Sequence, residues 1–96
     1  MIQEGYASWY GYELAGRKTA SGKLFNPDAF TTAHRTLKFG TPVRVTCFET
    51  GKSVTVRIND RGPWVEGRII DLSRAAFSQI ANLSQGVIYV KVEICE

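Results

Sequence analysis

Two stretches of the chain alternate apolar and polar positions with a period of two. Val43-Arg44-Val45-Thr46-Cys47-Phe48 and Ser53-Val54-Thr55-Val56-Arg57-Ile58 flank Glu49-Thr50-Gly51-Lys52, a turn of hairpin length and chemistry. The pattern predicts two antiparallel strands, with Val54, Val56 and Ile58 facing inward and Thr55 and Arg57 outward. A third alternating run, residues 87–94, follows Gly86 and predicts a long final strand. Near the start, Gly5-Tyr6-Ala7-Ser8-Trp9-Tyr10-Gly11 sets small residues against rings between glycines and reads as a first strand. Helical spacing occurs after Ser73, where an N-cap precedes apolar Ala76, Phe77 and Ile80 and predicts a short amphipathic helix to Ala81. Asn26-Pro27-Asp28-Ala29-Phe30 carries a cap, a first-turn proline and an acid, which predicts one or two further helical turns. The stretch 11–22 is polar and punctuated by glycines, with no sustained period, and reads as loop.

Many short strands with one or two small helices predict a mainly β, compact barrel rather than a βαβ sheet. Its inner face is expected to include Val43, Val45, Val54, Val56, Ile58, Val90 and Val92. No repeat, linker or low-complexity run divides the 96 residues, so residues 1–96 form one domain. No apolar run approaches the length of a membrane span, and Met1-Ile2-Gln3-Glu4 lacks the basic-then-apolar pattern of a signal peptide.

The net charge of +3 comes from cations spread along the chain. Without a basic stripe interleaved with aromatics, nucleic acid is not an expected partner, and an anionic polymer is only weakly favoured. Cys47 and Cys95 would close a loop worth about 4 kcal/mol in the chain-entropy model. Their strand parity argues against pairing: Cys47 shares a face with valines, Cys95 with Tyr89, Lys91 and Glu93. No set of Cys and His has zinc spacing, and neither a metal nor a cofactor is expected.

The chemistry concentrates where Arg57-Ile58-Asn59-Asp60-Arg61-Gly62-Pro63-Trp64 ends a strand and turns at a Gly-Pro pair, with Asp71 just before the helix start. Asp60, flanked by Asn59 and Arg61, is read as functional. Asp71, two residues before the N-cap, is read as a residue that satisfies backbone N–H groups in a turn.

Five motifs, Ala7-Ser8-Trp9-Tyr10-Gly11, Gly16-Arg17-x-Thr19-Ala20-Ser21-Gly22, Ala33-His34-Arg35-Thr36-Leu37, Val54-x-Val56-Arg57-Ile58-Asn59-Asp60-Arg61-Gly62-Pro63 and Arg68-Ile69-Ile70-Asp71-Leu72-Ser73, cover nearly the whole chain. In this order and spacing they resemble the rare lipoprotein A (RlpA-like) family. The resemblance implies a six-stranded double-psi β-barrel, shared with expansins, barwin-like proteins and family 45 endoglucanases. It also implies export to the bacterial periplasm or cell envelope, and lytic transglycosylase action on peptidoglycan glycan strands, typically stripped of peptides, by a monomer. Fold does not by itself carry chemistry, so the site must.

Carried over residue by residue, the resemblance makes Asp60 the catalytic aspartate and His34 the active-site histidine, the latter to hydrogen-bond Asp60 or orient a sugar. Tyr10, Ser21, Lys23, Asn59, Arg61 and Trp64 are then candidate substrate-binding residues, with Trp9 assigned to the core and Trp64 to the groove or the barrel end. At position 23 the family has a glutamate, and this chain has a lysine. Hydrolysis through a separate water normally uses a pair of carboxyls. In a lytic transglycosylase the attacking group is the sugar's own hydroxyl, so one carboxyl can serve as acid and then base. An ammonium beside Asp60 would hold that carboxyl ionised and weaken it as an acid. Lys23 therefore also raises an alternative: a glycan-binding, expansin-like module with little turnover. A protein-interaction domain with a vestigial groove is the third reading.

Overall fold

A computed structural model describes residues 2–95; Met1 and Glu96, the ends of the expected 1–96 domain, lie outside the described residues. Six strands form the frame: β1 (Ile2–Tyr10), β2 (Thr31–Ala33), β3 (Pro42–Cys47), β4 (Ser53–Asp60), β5 (Arg68–Ser73) and β6 (Ile88–Ile94). They close into a barrel in the order β1-β5-β2-β4-β3-β6. The pairs β1/β5 and β2/β4 are parallel and the other four antiparallel, the interlocked arrangement of a double-psi barrel. The hairpin has the expected register, with Val43 opposite Val56 and Val45 opposite Val54.

All seven expected inner-face residues are buried, joined by Ala7, Ile70, Leu72 and Ile88. Each fully buried Val, Leu or Ile contributes about 1.5–3 kcal/mol of transfer free energy, which makes this aliphatic cylinder the main source of stability. One helix, α1 (Arg74–Ile80), closes an end of the barrel with Ala76, Phe77 and Ile80 buried. Its predicted cap forms: Ser73 Oγ accepts from the Ala76 N–H at 3.2 Å. Trp9 packs inward on Phe77, with ring centroids 6.3 Å apart, and its Nε1 donates to Leu83 O at 3.1 Å.

The helical turns expected over 26–30 do not form; the segment is a turn, in which Asn26 Oδ1 accepts from the Asp28 N–H at 2.9 Å. Its carbonyls serve α1 instead, because Pro27 O accepts from Ala75 N at 3.0 Å and Ala29 O from Ser73 Oγ at 2.6 Å. Both cysteines are free. Cys95 N–H bonds to Pro42 O at 2.9 Å, at the far end of β3 from Cys47, so about five residues of strand, roughly 16 Å, separate them.

Two glycines are fixed by geometry. A Cβ on Gly5 would lie 2.7 Å from Ile69 Cγ2, and Gly62, at the β4–β5 corner, holds φ +127°. The corner loop is pinned by Arg35, whose guanidinium donates to Pro63 O at 2.8 Å and also to Arg68 O.

Candidate active site

The register of four strands assembles the site. Ala33 in β2 pairs with Asp60 in β4 on one side and with Asp71 in β5 on the other, and Asp71 pairs with Ser8 in β1. The two carboxylates therefore share one cross-strand row, two strands apart, about 10 Å at the backbone.

Asp60 Oδ1 accepts from the backbone N–H groups of Ala20 and Arg61, both at 2.9 Å. These bonds tie loop 17–25 to the end of β4. Oδ2 makes no hydrogen bond among the described residues. The carboxyl lines a cleft of about 230 Å³ with Tyr10, Leu14, Arg17, Lys18, Thr19 and Phe25. The backbone-acceptor role weighed for Asp60 is thus met by one oxygen, which leaves the other free of hydrogen bonds.

Tyr10 faces this cleft, its ring packed on Phe25 with centroids 4.5 Å apart. Its hydroxyl is buried without a hydrogen-bond partner among the described residues, as are Thr31 Oγ1 and Asn59 Oδ1. Buried polar atoms are normally paired, and the three exceptions sit on the strands that surround Asp60. Burial first, then the charges of Asp60 and Asp71, push the Tyr10 phenol well above its usual range. The phenol stays protonated and is a standing hydrogen-bond donor.

Asp71 corrects the reading from sequence. It lies within β5 rather than in a turn, and its carboxylate accepts the Ser8 hydroxyl rather than backbone N–H groups. Asp71 does not line the Asp60 cleft, but its charge adds to that of Asp60 in raising the Tyr10 phenol.

His34 is buried at the end of β2, and its N–H donates to Asp60 O at 3.1 Å. Its ring does not reach the Asp60 carboxyl. Nδ1 accepts from Thr36 N and Leu37 N, at 3.2 and 3.1 Å, so the proton resides on Nε2, which donates to Gln3 Oε1 at 2.9 Å. Burial, then the guanidiniums of Arg61 and Arg35, lower its pKa from the ordinary value. The ring is held neutral with both nitrogens occupied.

Lys23 does not form an ion pair with Asp60. It lines a neighbouring cleft of about 240 Å³ with Ser21, Phe39, Gly40, Ile58 and Asn59, on the other side of the loop that Asp60 holds. No ion pair or hydrogen bond links the Lys23 ammonium to the Asp60 carboxyl among the described residues. Ser21 joins the clefts: its N–H donates to Asn59 O at 3.3 Å, and its Oγ is 2.8 Å from Thr19 Oγ1. Arg61 turns the other way, donating to His34 O and Leu37 O at 3.1 and 2.8 Å and stacking over Phe39 at 4.0 Å. Trp64 is 75% exposed on the corner loop and lines a separate cleft with Arg35, Val65 and Glu66. Arg17, Lys18 and Phe25 were missed as site residues because a loop without periodicity gives no direction for its side chains.

Fold and cleft together define the class: a double-psi β-barrel with a cleft at the ends of β1 and β4 that Asp60 lines beside Arg17 and Lys18. The sequence model of the lytic transglycolase family matches residues 2–92, and the chain belongs to that family. It is 54% identical over 95 residues to a probable endolytic peptidoglycan transglycosylase RlpA of Synechocystis sp., covering 99% of this chain and 30% of that one. It is 50% identical over 91 residues to the endolytic peptidoglycan transglycosylase RlpA of Neisseria meningitidis serogroup A, covering 95% of this chain and 38% of that one. The chain thus spans about a third of the length of these curated relatives. Among solved structures, Streptomyces papain inhibitor superposes with a TM-score of 0.81 at 22% identity, covering 100% of this chain and 96% of that one. A Clavibacter michiganensis expansin mutant in complex with cellohexaose superposes at 0.79 and 21% identity, covering 100% and 51%. These two likenesses concern the fold alone.

Proposed function

We propose that this chain is the glycan-cleaving domain of an exported peptidoglycan lytic transglycosylase, acting in the periplasm or cell envelope as a single monomeric domain. The observation that carries the reading is one cleft lined both by Asp60, which keeps one carboxyl oxygen free of hydrogen bonds, and by Tyr10, whose phenol has no partner among the described residues, in a chain half identical to endolytic transglycosylases.

In this reading the Asp60 carboxyl protonates the glycosidic oxygen as the bond to the anomeric carbon breaks. The same carboxylate then takes the proton of the sugar's own hydroxyl as that oxygen closes on the anomeric carbon, leaving an anhydro end. One carboxyl returns to its starting state, and no water is consumed. Asp71, held by Ser8, supplies negative charge on the same row of strands for the positive charge that develops on the sugar ring. Tyr10 donates its hydrogen bond to a sugar oxygen. Ser21, Lys23 and Asn59 extend contact into the neighbouring cleft, and Trp64 offers a ring beyond the corner. His34 and Arg61 act through the 34–37 turn, as positioning residues for the end of β4.

The test is release of soluble fragments from purified sacculi by wild type and Asp60→Asn. Release by the wild type and none by the variant supports the reading. Binding of glycan without release would make the protein a glycan-binding module instead.

A further inference from the structure

Away from the Asp60 cleft, the outer face of the barrel carries three large rings in one cross-strand row. Tyr6 in β1 pairs with Tyr89 in β6, and Phe48, just past β3, donates its N–H to Tyr89 O at 3.2 Å. Tyr6 and Tyr89 meet edge to face with centroids 5.0 Å apart, and Phe48 and Tyr89 lie 5.5 Å apart. They are 48%, 42% and 53% exposed, so the row is not part of the core. A contiguous exposed aromatic surface of this kind marks a place where something binds.

The chemistry of the row narrows what binds. The rings border a cleft of about 270 Å³, where Gln85 Nε2 donates to Glu49 Oε1 at 3.2 Å on the rim. Aromatic faces with two phenol hydroxyls, a carboxylate and an amide match the apolar faces and hydroxyl edges of a sugar. Neighbouring strands lie about 4.8 Å apart, so three rings on successive strands repeat at close to the length of one sugar in an extended β-linked chain. The row lies within a few sugar lengths of the Asp60 cleft: Tyr6 and Tyr10 project from the same side of β1, about 13 Å apart, with the buried Ser8 between them.

We propose that Tyr6, Tyr89 and Phe48 form a second glycan-holding site, which grips the polymer a few sugars away from the bond that Asp60 cleaves. The proposal rests on the Asp60 cleft being the cleavage site, and it makes the protein select long strands over short ones.

The test compares wild type, Tyr89→Ala, Tyr89→Thr and the double variant Tyr6→Ala/Phe48→Ala, each checked by melting temperature; threonine keeps the β-propensity of the strand. Affinity is measured for peptide-free glycan strands of many sugars and for a purified tetrasaccharide, alongside fragment release and sedimentation of the protein alone. The expected result is binding to long strands weakened about three- to tenfold by each change, as loss of an aromatic contact implies, with tetrasaccharide affinity unchanged. Long-strand affinity equal to wild type in all variants overturns the proposal, even if the wild type cleaves glycan. So does equal weakening for both lengths, or a wild type that self-associates through these rings while its glycan affinity ignores them. A ring-dependent preference for long strands without any fragment release would sustain this site and defeat the cleavage reading alone.

Discussion

Replacing Tyr10 by phenylalanine separates stability from function in a direction that few substitutions share. The ring packs on Phe25, and the hydroxyl is buried with no partner among the described residues. An unsatisfied buried hydroxyl costs about 1–3 kcal/mol of desolvation, and Tyr10→Phe removes that cost while keeping the ring and its packing. A gain of about 1 kcal/mol, the low end of that range, is expected. For a domain of this size that raises the melting temperature by about 4–8 °C. Activity should move the other way, because the same hydroxyl is the donor reserved for the sugar. Loss of one such bond costs about 0.5–1.5 kcal/mol, or two- to tenfold in kcat/KM. Thermal unfolding followed by circular dichroism, with initial rates of fragment release on the same preparations, reads both effects. A lower melting temperature would show that the hydroxyl has a partner in the folded protein, and unchanged kcat/KM would remove Tyr10 from substrate contact.

Asp60→Asn should lower fragment release by about 10²–10⁴, the usual worth of a general acid–base group, while circular dichroism melting stays within a few degrees, because the amide oxygen still accepts from Ala20 and Arg61. Lys23→Ala should leave the pH dependence of release unchanged and alter the rate less than tenfold, since Lys23 makes no ion pair with Asp60; a shifted pH profile would place its charge at the chemistry. Gly5→Ala should destabilise by about 1–3 kcal/mol in chemical denaturation through its contact with Ile69. His34 is a base whose folded pKa lies below its unfolded value of 6.5, so its neutral form stabilises the fold fully above that pH. That stability should fall as pH drops below 6.5 toward the folded value, and His34→Gln should flatten the melting temperature across this window.

The elements legible in the sequence are those whose alternation is intact. The β3–β4 hairpin and β6 bury every second residue, so their faces and register follow from spacing. β5 was not legible as a strand by the same rule, because the register with β1 shifts between Tyr6 and Ala7, and Ile69 and Ile70 both pack toward the core. β2 has only three residues, Thr31–Ala33, too few to show a period. The helical signal at 26–30 misled because its carbonyls are claimed by the N-terminus of α1, 44 residues distant in the Ser73–Ala29 bond. For the candidate site, Asp60 and Tyr10, singled out by motif and turn, line one cleft. The placement of Asp71 was not legible, since it depends on a parallel pairing with Ser8 across 63 residues. His34 lies near Asp60 as expected, yet its ring serves the 34–37 turn, a direction set by two backbone N–H groups that no spacing reveals.

The central claim is that one carboxyl, Asp60, cleaves the glycan by passing a proton out and back without water. It is tested most directly by digesting peptide-free glycan strands in ¹⁸O-labelled water and weighing the new ends by mass spectrometry. The wild type is expected to give anhydro-sugar ends with no label, and Asp60→Asn no new ends. Reducing ends carrying one ¹⁸O would contradict it, because they require a water activated as the nucleophile.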